Sequence, residues 1–223
     1  MLHVFGWAAL AVLAGYLVLF FAGGVMAARA AGRPVWLFDA ATGRDRLAAM
    51  GFRLAFTLAL VGPLLWLIVP VLHKADTLWT EGRVPHLGFA GLAIAAVGSV
   101  LALAAQRAMG ASWRVGVKAG ETGALVQGGL FRLSRNPTFL GQGLLLAGVA
   151  LAIPSVPTVL GLALFLWSAR TQVLSEEAAL MAANGDAYGR FMQSVPRWIG
   201  LPRQRKRLVE HDSATDPQDI TRP

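Results

Sequence analysis

Residues 130–153 read LFRLSRNPTFLGQGLLLAGVALAI, and this stretch decides how the chain folds. From Thr138 to Ile153 it carries no charge, so it reads as a helix with little need of water on any side. Its opening differs: Arg132, Arg135, Asn136 and Pro137 follow one another in short order. Proline suits the first turn of a helix, where its missing N–H costs nothing. The remaining free N–H groups of that start, beside arginines, favour an anionic group. A helix that merely crosses a bilayer needs only a flank that ends the hydrocarbon phase. This flank looks built to hold something.

The rest of the chain shares the apolar character. Of 223 residues, 56 % are hydrophobic and 14 % charged, with a mean hydropathy of +0.56. A soluble domain carries about a quarter charged residues. The apolar residues also arrive in blocks of roughly 20, the length of helix that spans a bilayer. The expectation is an all-α, polytopic membrane protein with about five transmembrane helices and short helices on the cytoplasmic side. The spans fall near Val4–Ala28, Phe52–Leu72, Leu87–Ala105, Thr138–Ile153 and Pro157–Leu174. The first has no basic leader or clear cleavage site and is too long for a signal peptide's core, so it counts as a helix. Gly62–Pro63 predicts a kink in the second span, and PSVP (154–157) predicts a tight C-terminal helical hairpin.

Charge then sets the orientation. Arg29, Arg33, Arg44, Arg46 and Arg53 cluster in one connection, and Arg107, Arg114, Lys118, Arg132 and Arg135 in another. The alternate connections are nearly bare: Lys74 and Arg83 are offset by Asp76 and Glu81, and PSVP has no charge. Five spans put the basic segments on one side, with the N-terminus outside and the C-terminus cytoplasmic. The net charge of +8 thus points to membrane lipids rather than nucleic acid. The expected location is the inner or plasma membrane of a prokaryote. One domain covers residues 1–200. The tail, 201–223, opens with RQRKR (203–207) and ends polar and unpatterned, as disordered segments do.

The absence of cysteine excludes disulfides, thiolate nucleophiles and cysteine–zinc sites. His3, His73, His86 and His211 are scattered, with no i, i+4 pair, so no metal is expected. Gly141-Gln142-Gly143 lacks the strand–turn–helix context of a dinucleotide site and reads as close helix packing. Polar material remains at the inner ends of the last two spans. In SARTQVLSEEAAL (168–180), Arg170 and Glu177 stand at i, i+7 on one face, with Glu176 beside them. Ionisable groups near membrane depth mark sites by default. Equally, Arg170 can snorkel to the interface while both glutamates lie in solvent.

Residues 110–199 together resemble the integral-membrane methyltransferases typified by isoprenylcysteine carboxyl methyltransferase, with phospholipid methyltransferases as relatives. The family pattern is roughly H-x-L-V-x-x-G-x-Y-x-x-x-R-H-P-x-Y-x-G, followed by E-E-x-x-L and by G-x-x-Y before a V-P ending. Here GALVQGGLFRLSRNPTFLG (123–141) falls in that register without a gap, followed by EEAAL (176–180), GDAY (185–188) and SVPRWI (194–199). The resemblance implies S-adenosylmethionine as cofactor, held within residues 116–190. By position it assigns Gly123, Ala124, Leu125 and Val126 as loop contacts and Phe131 in place of a tyrosine. It further assigns Asn136, Pro137, Thr138 and Phe139 at the His-Pro-x-Tyr positions and Glu176 as the cofactor-binding glutamate. Arg135 and the helix start suit the cofactor carboxylate.

Asn136 replaces the histidine and Phe139 the second tyrosine, a variant familiar among the phospholipid-type relatives. Where prenylcysteine enzymes carry an arginine for the substrate carboxylate, this chain has Gln172, and the nearest arginine is Arg170. The resemblance therefore implies methyl transfer to a lipophilic acceptor, an isoprenylcysteine-type carboxylate or a lipid or thiol nucleophile. Arg170 and Gln172 are the substrate candidates, with Arg170 orienting a carboxylate and Glu177 serving as base for an acceptor that must lose a proton. Two other readings stay open: an NADPH-dependent enzyme like the membrane sterol reductases, and a non-catalytic membrane scaffold.

Overall fold

A computed structural model describes residues 2–37, 41–69, 71, 85–115 and 125–200. Five long helices carry the fold: α1 (Leu2–Ala31), α2 (Gly43–Ile68), α3 (Pro85–Met109), α4 (Pro137–Ala152) and α5 (Val156–Ser194). Short 3-10 turns at Gly110–Ser112 and Gly129–Arg132 lie between α3 and α4. Three helices, α1 to α3, are long and apolar enough to cross a membrane on their own, and α4 is a shorter apolar helix of 16 residues. The outer faces present Trp7, Val18, Phe21, Met26, Ile68, Phe89, Val97, Val100, Leu160 and Leu166. Apolar residues on the outside of a bundle, with every helical backbone group satisfied internally, are what a lipid solvent selects. The all-α membrane fold expected from the sequence is the fold observed.

Helix boundaries differ from the sequence reading where polar residues extend a span. The second helix begins at Gly43, nine residues before the apolar block, and runs helically through Pro63 to Ile68. Gly62 marks a close packing site: a Cβ there would meet Thr158 Cγ2 at 2.5 Å and Ser155 Oγ at 2.8 Å. The fifth helix runs on well past Leu174 into the cytoplasmic-type sequence. It is broken inside by Gly185, whose φ of 45° and ψ of −122° lie outside helical space. Such a φ is easy only without a Cβ.

The expected hairpin exists but opens out. Its turn is fixed by a capping box, in which Ser155 and Thr158 exchange side-chain and backbone hydrogen bonds. Beyond the turn α4 packs chiefly on α3, and α5 chiefly on α2, rather than on each other. The α3–α4 seam is built of glycine and alanine: a Cβ on Gly91 would lie 2.5 Å from the Ala152 nitrogen, and one on Gly141 2.5 Å from that of Ala102. Small residues at a membrane helix seam let the backbones touch, which replaces the hydrophobic drive that lipid cannot supply. The helix α1 joins this pair through two polar contacts. Gln106 Nε2 donates to the Phe20 carbonyl at 2.9 Å, and Gln142 Nε2 to the Tyr16 hydroxyl at 2.7 Å.

Overpacking a seam of this kind is expected to cost about 2 kcal/mol or more. Gly98→Val should therefore lower the thermal unfolding midpoint in detergent, whereas Gly15→Ala, on an exposed helix face with nothing within 4 Å, should leave it level or slightly raised. Equal midpoints for the two variants would refute the close-packed seam.

Candidate functional site

Where α4 begins, several elements converge. Asn136 caps the helix with Pro137 in its first turn. The Asn136 amide donates to Ser134 Oγ at 3.0 Å, which fixes the entering chain. The segment 195–200, following α5, returns across this start as a strap. Arg135 N donates to the Pro196 carbonyl at 3.0 Å, Asn136 Nδ2 to the Arg197 carbonyl at 3.0 Å, and Gly200 N to the Leu133 carbonyl at 3.2 Å.

Glu177 ties the strap down. Its Oε1 accepts from Arg197 Nε at 2.9 Å and its Oε2 from Arg197 Nη2 at 2.7 Å, a forked pair. Arg135 Nη1 stands 2.9 Å from the same Oε1 as an ion pair, both side chains being under a tenth exposed. The bond to Glu177 raises Arg197 above its ordinary value. With both oxygens engaged by guanidiniums, Glu177 is a clamp, and the base role expected of it finds no support in this geometry.

Beside the start of α4 lies a cleft enclosing about 960 Å³ of atom-free space, part of it open to solvent. Leu125, Val126, Phe131, Arg135, Asn136, Pro137, Thr138, Phe139, Gln172, Glu176 and Glu177 all line it. The first four of these precede α4, the next four form its start, and the last three come from α5. Gly123 and Ala124 lie outside the described residues, as do His73 and His211. Gln172 is buried and points its amide at the Ala48 carbonyl of α2, 3.5 Å away.

Arg170 stands apart from the cleft lining. It is exposed and does not line the cleft, although helical spacing puts it on the face of Glu177. The buried stripe of α5 runs through Phe165, Ser168, Ala169, Gln172, Val173 and Glu177, and Arg170 falls at its edge. Helical periodicity fixes the angle between two side chains but not the width of the neighbour that covers them.

Sequence reading missed three cleft residues. Arg114 is buried, and its Nη2 donates to Glu176 Oε1 at 3.3 Å. Trp113, beside it, meets Phe20 edge-on at 5.7 Å. Tyr188, the tyrosine of GDAY, is 2 % exposed and packs with Phe131, Phe191 and Val195. The break at Gly185 precedes it by three residues. Burial first, then the nearby Glu177 charge, push the Tyr188 phenol above its ordinary value, so it remains a donor at neutral pH. Glu176 is likewise raised, by burial, with Arg114 opposing the rise and Glu177 adding to it.

The chemistry of such a cleft can now be set beside known proteins. Residues 87–187 match the phospholipid methyltransferase family. The match spans α3, the loop with its 3-10 turns, α4 and most of α5, and so contains both halves of the cleft. It agrees with the methyltransferase resemblance read from the motifs. Comparison with curated proteins gives no significant match. The match and the apolar helices together make the chain similar to membrane methyltransferases over residues 87–187. Among the described residues no three metal-ligating side chains cluster.

Glu177→Gln removes the counter-charge of buried Arg135, and breaking a buried pair of this kind costs about 3–5 kcal/mol. The Gly200 and Arg135 amides are then expected to exchange with deuterium at least about tenfold faster, while the middle of α3 is unchanged. Unaltered protection at Gly200 would show that the clamp does not hold the strap.

Proposed function

We propose that the chain transfers a methyl group from S-adenosylmethionine to a lipophilic acceptor, in the cleft between the start of α4 and the inner half of α5. The observation that carries this reading is the joint lining of one cleft by Asn136–Phe139 and Glu176. These are the positions that the motif resemblance assigns to the cofactor, and they come from helices that otherwise splay apart.

The residues present fit such a ligand. About a quarter of the Glu176 side chain is exposed, leaving carboxylate surface to accept from an amine or a ribose diol. Arg135 has Nε without a hydrogen-bond acceptor among the described residues, and a ligand carboxylate at the start of α4 would meet its guanidinium and the free N–H groups of the first turn. Phe131, Phe139 and Tyr188 offer ring faces for adenine or a sulfonium. Bound there, the cofactor supplies a methyl group already activated on positive sulfur. The protein's part is alignment and exclusion of water. The Glu177–Arg197 clamp contributes by holding the strap across the site.

The acceptor would enter from the bilayer. A groove of about 1130 Å³ runs between α1 and α2, lined by Tyr16, Leu17, Phe21, Trp36, Phe56 and Leu60, with Arg53 and Thr57 on its α2 side. It shares Phe20, Phe52 and Gln142 with the cleft, so the two adjoin across these side chains. An acyl or isoprenoid chain would lie in the groove with its nucleophile at the junction. With Arg170 outside the cleft, a carboxylate acceptor would meet another of the arginines that line the cleft and groove, Arg53, Arg114 or Arg135. The basic flanks support a cleft on the cytoplasmic side.

Calorimetry in detergent with S-adenosylmethionine and, separately, with NADPH tests the cofactor. The first alone should bind, and Glu176→Gln should weaken it about tenfold or more in a protein that still folds, since a charge-assisted bond is worth about 1.5–3 kcal/mol. Binding of NADPH instead, or unchanged affinity in the variant, would remove the assignment. Leu60→Trp, filling the groove, should lower turnover of a long-chain acceptor with cofactor affinity unchanged; equal turnover would place the acceptor elsewhere.

A further inference from the structure

The segment that follows α3 has no part in the reading above, yet it brings a buried cation to the cleft. The Arg114 side chain is 4 % exposed, and its one hydrogen bond among the described residues runs from Nη2 to Glu176 Oε1. Its neighbours are fixed on both sides. Trp113 lies edge-on to Phe20 of α1, and Val115 forms an isolated parallel bridge with Trp36. Val115 N donates to the Val35 carbonyl at 2.7 Å, and Leu37 N to the Val115 carbonyl at 2.8 Å. Each anchor belongs to α1 or to the connection from α1 to α2.

We infer that Arg114 is a positioning residue that keeps the Glu176 carboxylate ionised and turned into the cleft, and that the bridge between residues 35–37 and 113–115 sets Arg114. The inference rests on reading Glu176 as an acceptor for the cofactor's amine or ribose diol. A carboxylate accepts such bonds, whereas a carboxylic acid presents a donor in place of one acceptor site. The charged and titratable groups around Glu176 are Arg114 from the segment after α3, Arg135 at the start of α4, and Glu177 and Tyr188 from α5. Arg135 and Arg197 are paired with Glu177, which leaves Arg114, among the described residues, as the cation in contact with Glu176. Burial already favours the protonated form of Glu176, and loss of Arg114 removes the term that opposes it.

The sign follows. A carboxyl whose folded-state value is raised further is protonated over a wider acid range, so ligand binding that needs the anion weakens at neutral pH and recovers as pH rises. Under this inference the N-terminal half of the bundle serves the site by holding one guanidinium in place.

The test uses the full chain with Arg114→Met, which keeps the apolar stem. Infrared difference spectra of the ligand-free protein follow the protonated-carboxyl band with pH, and Glu176→Gln assigns it. The band should persist to higher pH in Arg114→Met and be missing from the double variant. In calorimetry Arg114→Met should bind S-adenosylmethionine about tenfold more weakly near neutrality, the loss shrinking toward about pH 9. An unmoved infrared band overturns the inference, as does an affinity loss equal at every pH. A shifted band in a protein that never binds S-adenosylmethionine upholds the Arg114–Glu176 relation and removes the cofactor reading instead. If Arg114→Met does not fold, Arg114→Lys carries the same infrared test, with a smaller shift expected because the ammonium lacks the planar fork.

Discussion

The close approach of α3 and α4 is the constraint on which the remaining architecture depends. Two helices in lipid gain nothing from hiding apolar surface, so they associate where their backbones can touch. Gly91, Gly98, Gly141 and Gly148 provide that contact along the seam. Because α4 is held to α3, and α5 to α2, the short PSVP turn joins two helices that diverge. The divergence makes room for a cleft at the start of α4, and the polar flank of that helix becomes its wall.

A polar cleft beside a membrane bundle has to be held together by charge as well as by packing. Here the charges are paired in a division of labour. Glu177 takes Arg197 and Arg135 and so anchors the strap, while Glu176 takes Arg114, alone among the described residues, and keeps part of its surface toward the cleft. Two adjacent carboxylates thereby acquire different environments. One is saturated, the other still able to accept a hydrogen bond, and only the second is suited to a ligand.

Much of this was legible beforehand because it is local. The start of α4 at Pro137, the turn at PSVP and the apolar blocks follow from proline geometry and hydrocarbon thickness, which act within a few residues of sequence. The motif resemblance named cleft residues on both α4 and α5 because fixed spacings survive in a chain whose helices differ. Arg170 went astray for the opposite reason: whether a face is covered depends on the breadth of α2, a neighbour more than a hundred residues away. Arg114 and Tyr188 were hidden likewise. Nothing around Arg114 in sequence distinguishes it from the other basic flanking residues, and its meaning comes from a two-residue bridge to the α1–α2 connection.

By itself, then, the amino-acid order determined an all-helical membrane chain, the site of the hairpin and the likeness of residues 87–187 to phospholipid methyltransferases. The tertiary structure decided which of two neighbouring glutamates keeps exposed carboxylate surface, that the hairpin opens, and that residues 195–200 return over the helix start. The physical reason is range. Hydropathy, proline and capping act along the chain, whereas pairing among Arg114, Arg135, Arg197 and the two glutamates exists only once distant segments have been brought within about 3 Å of each other.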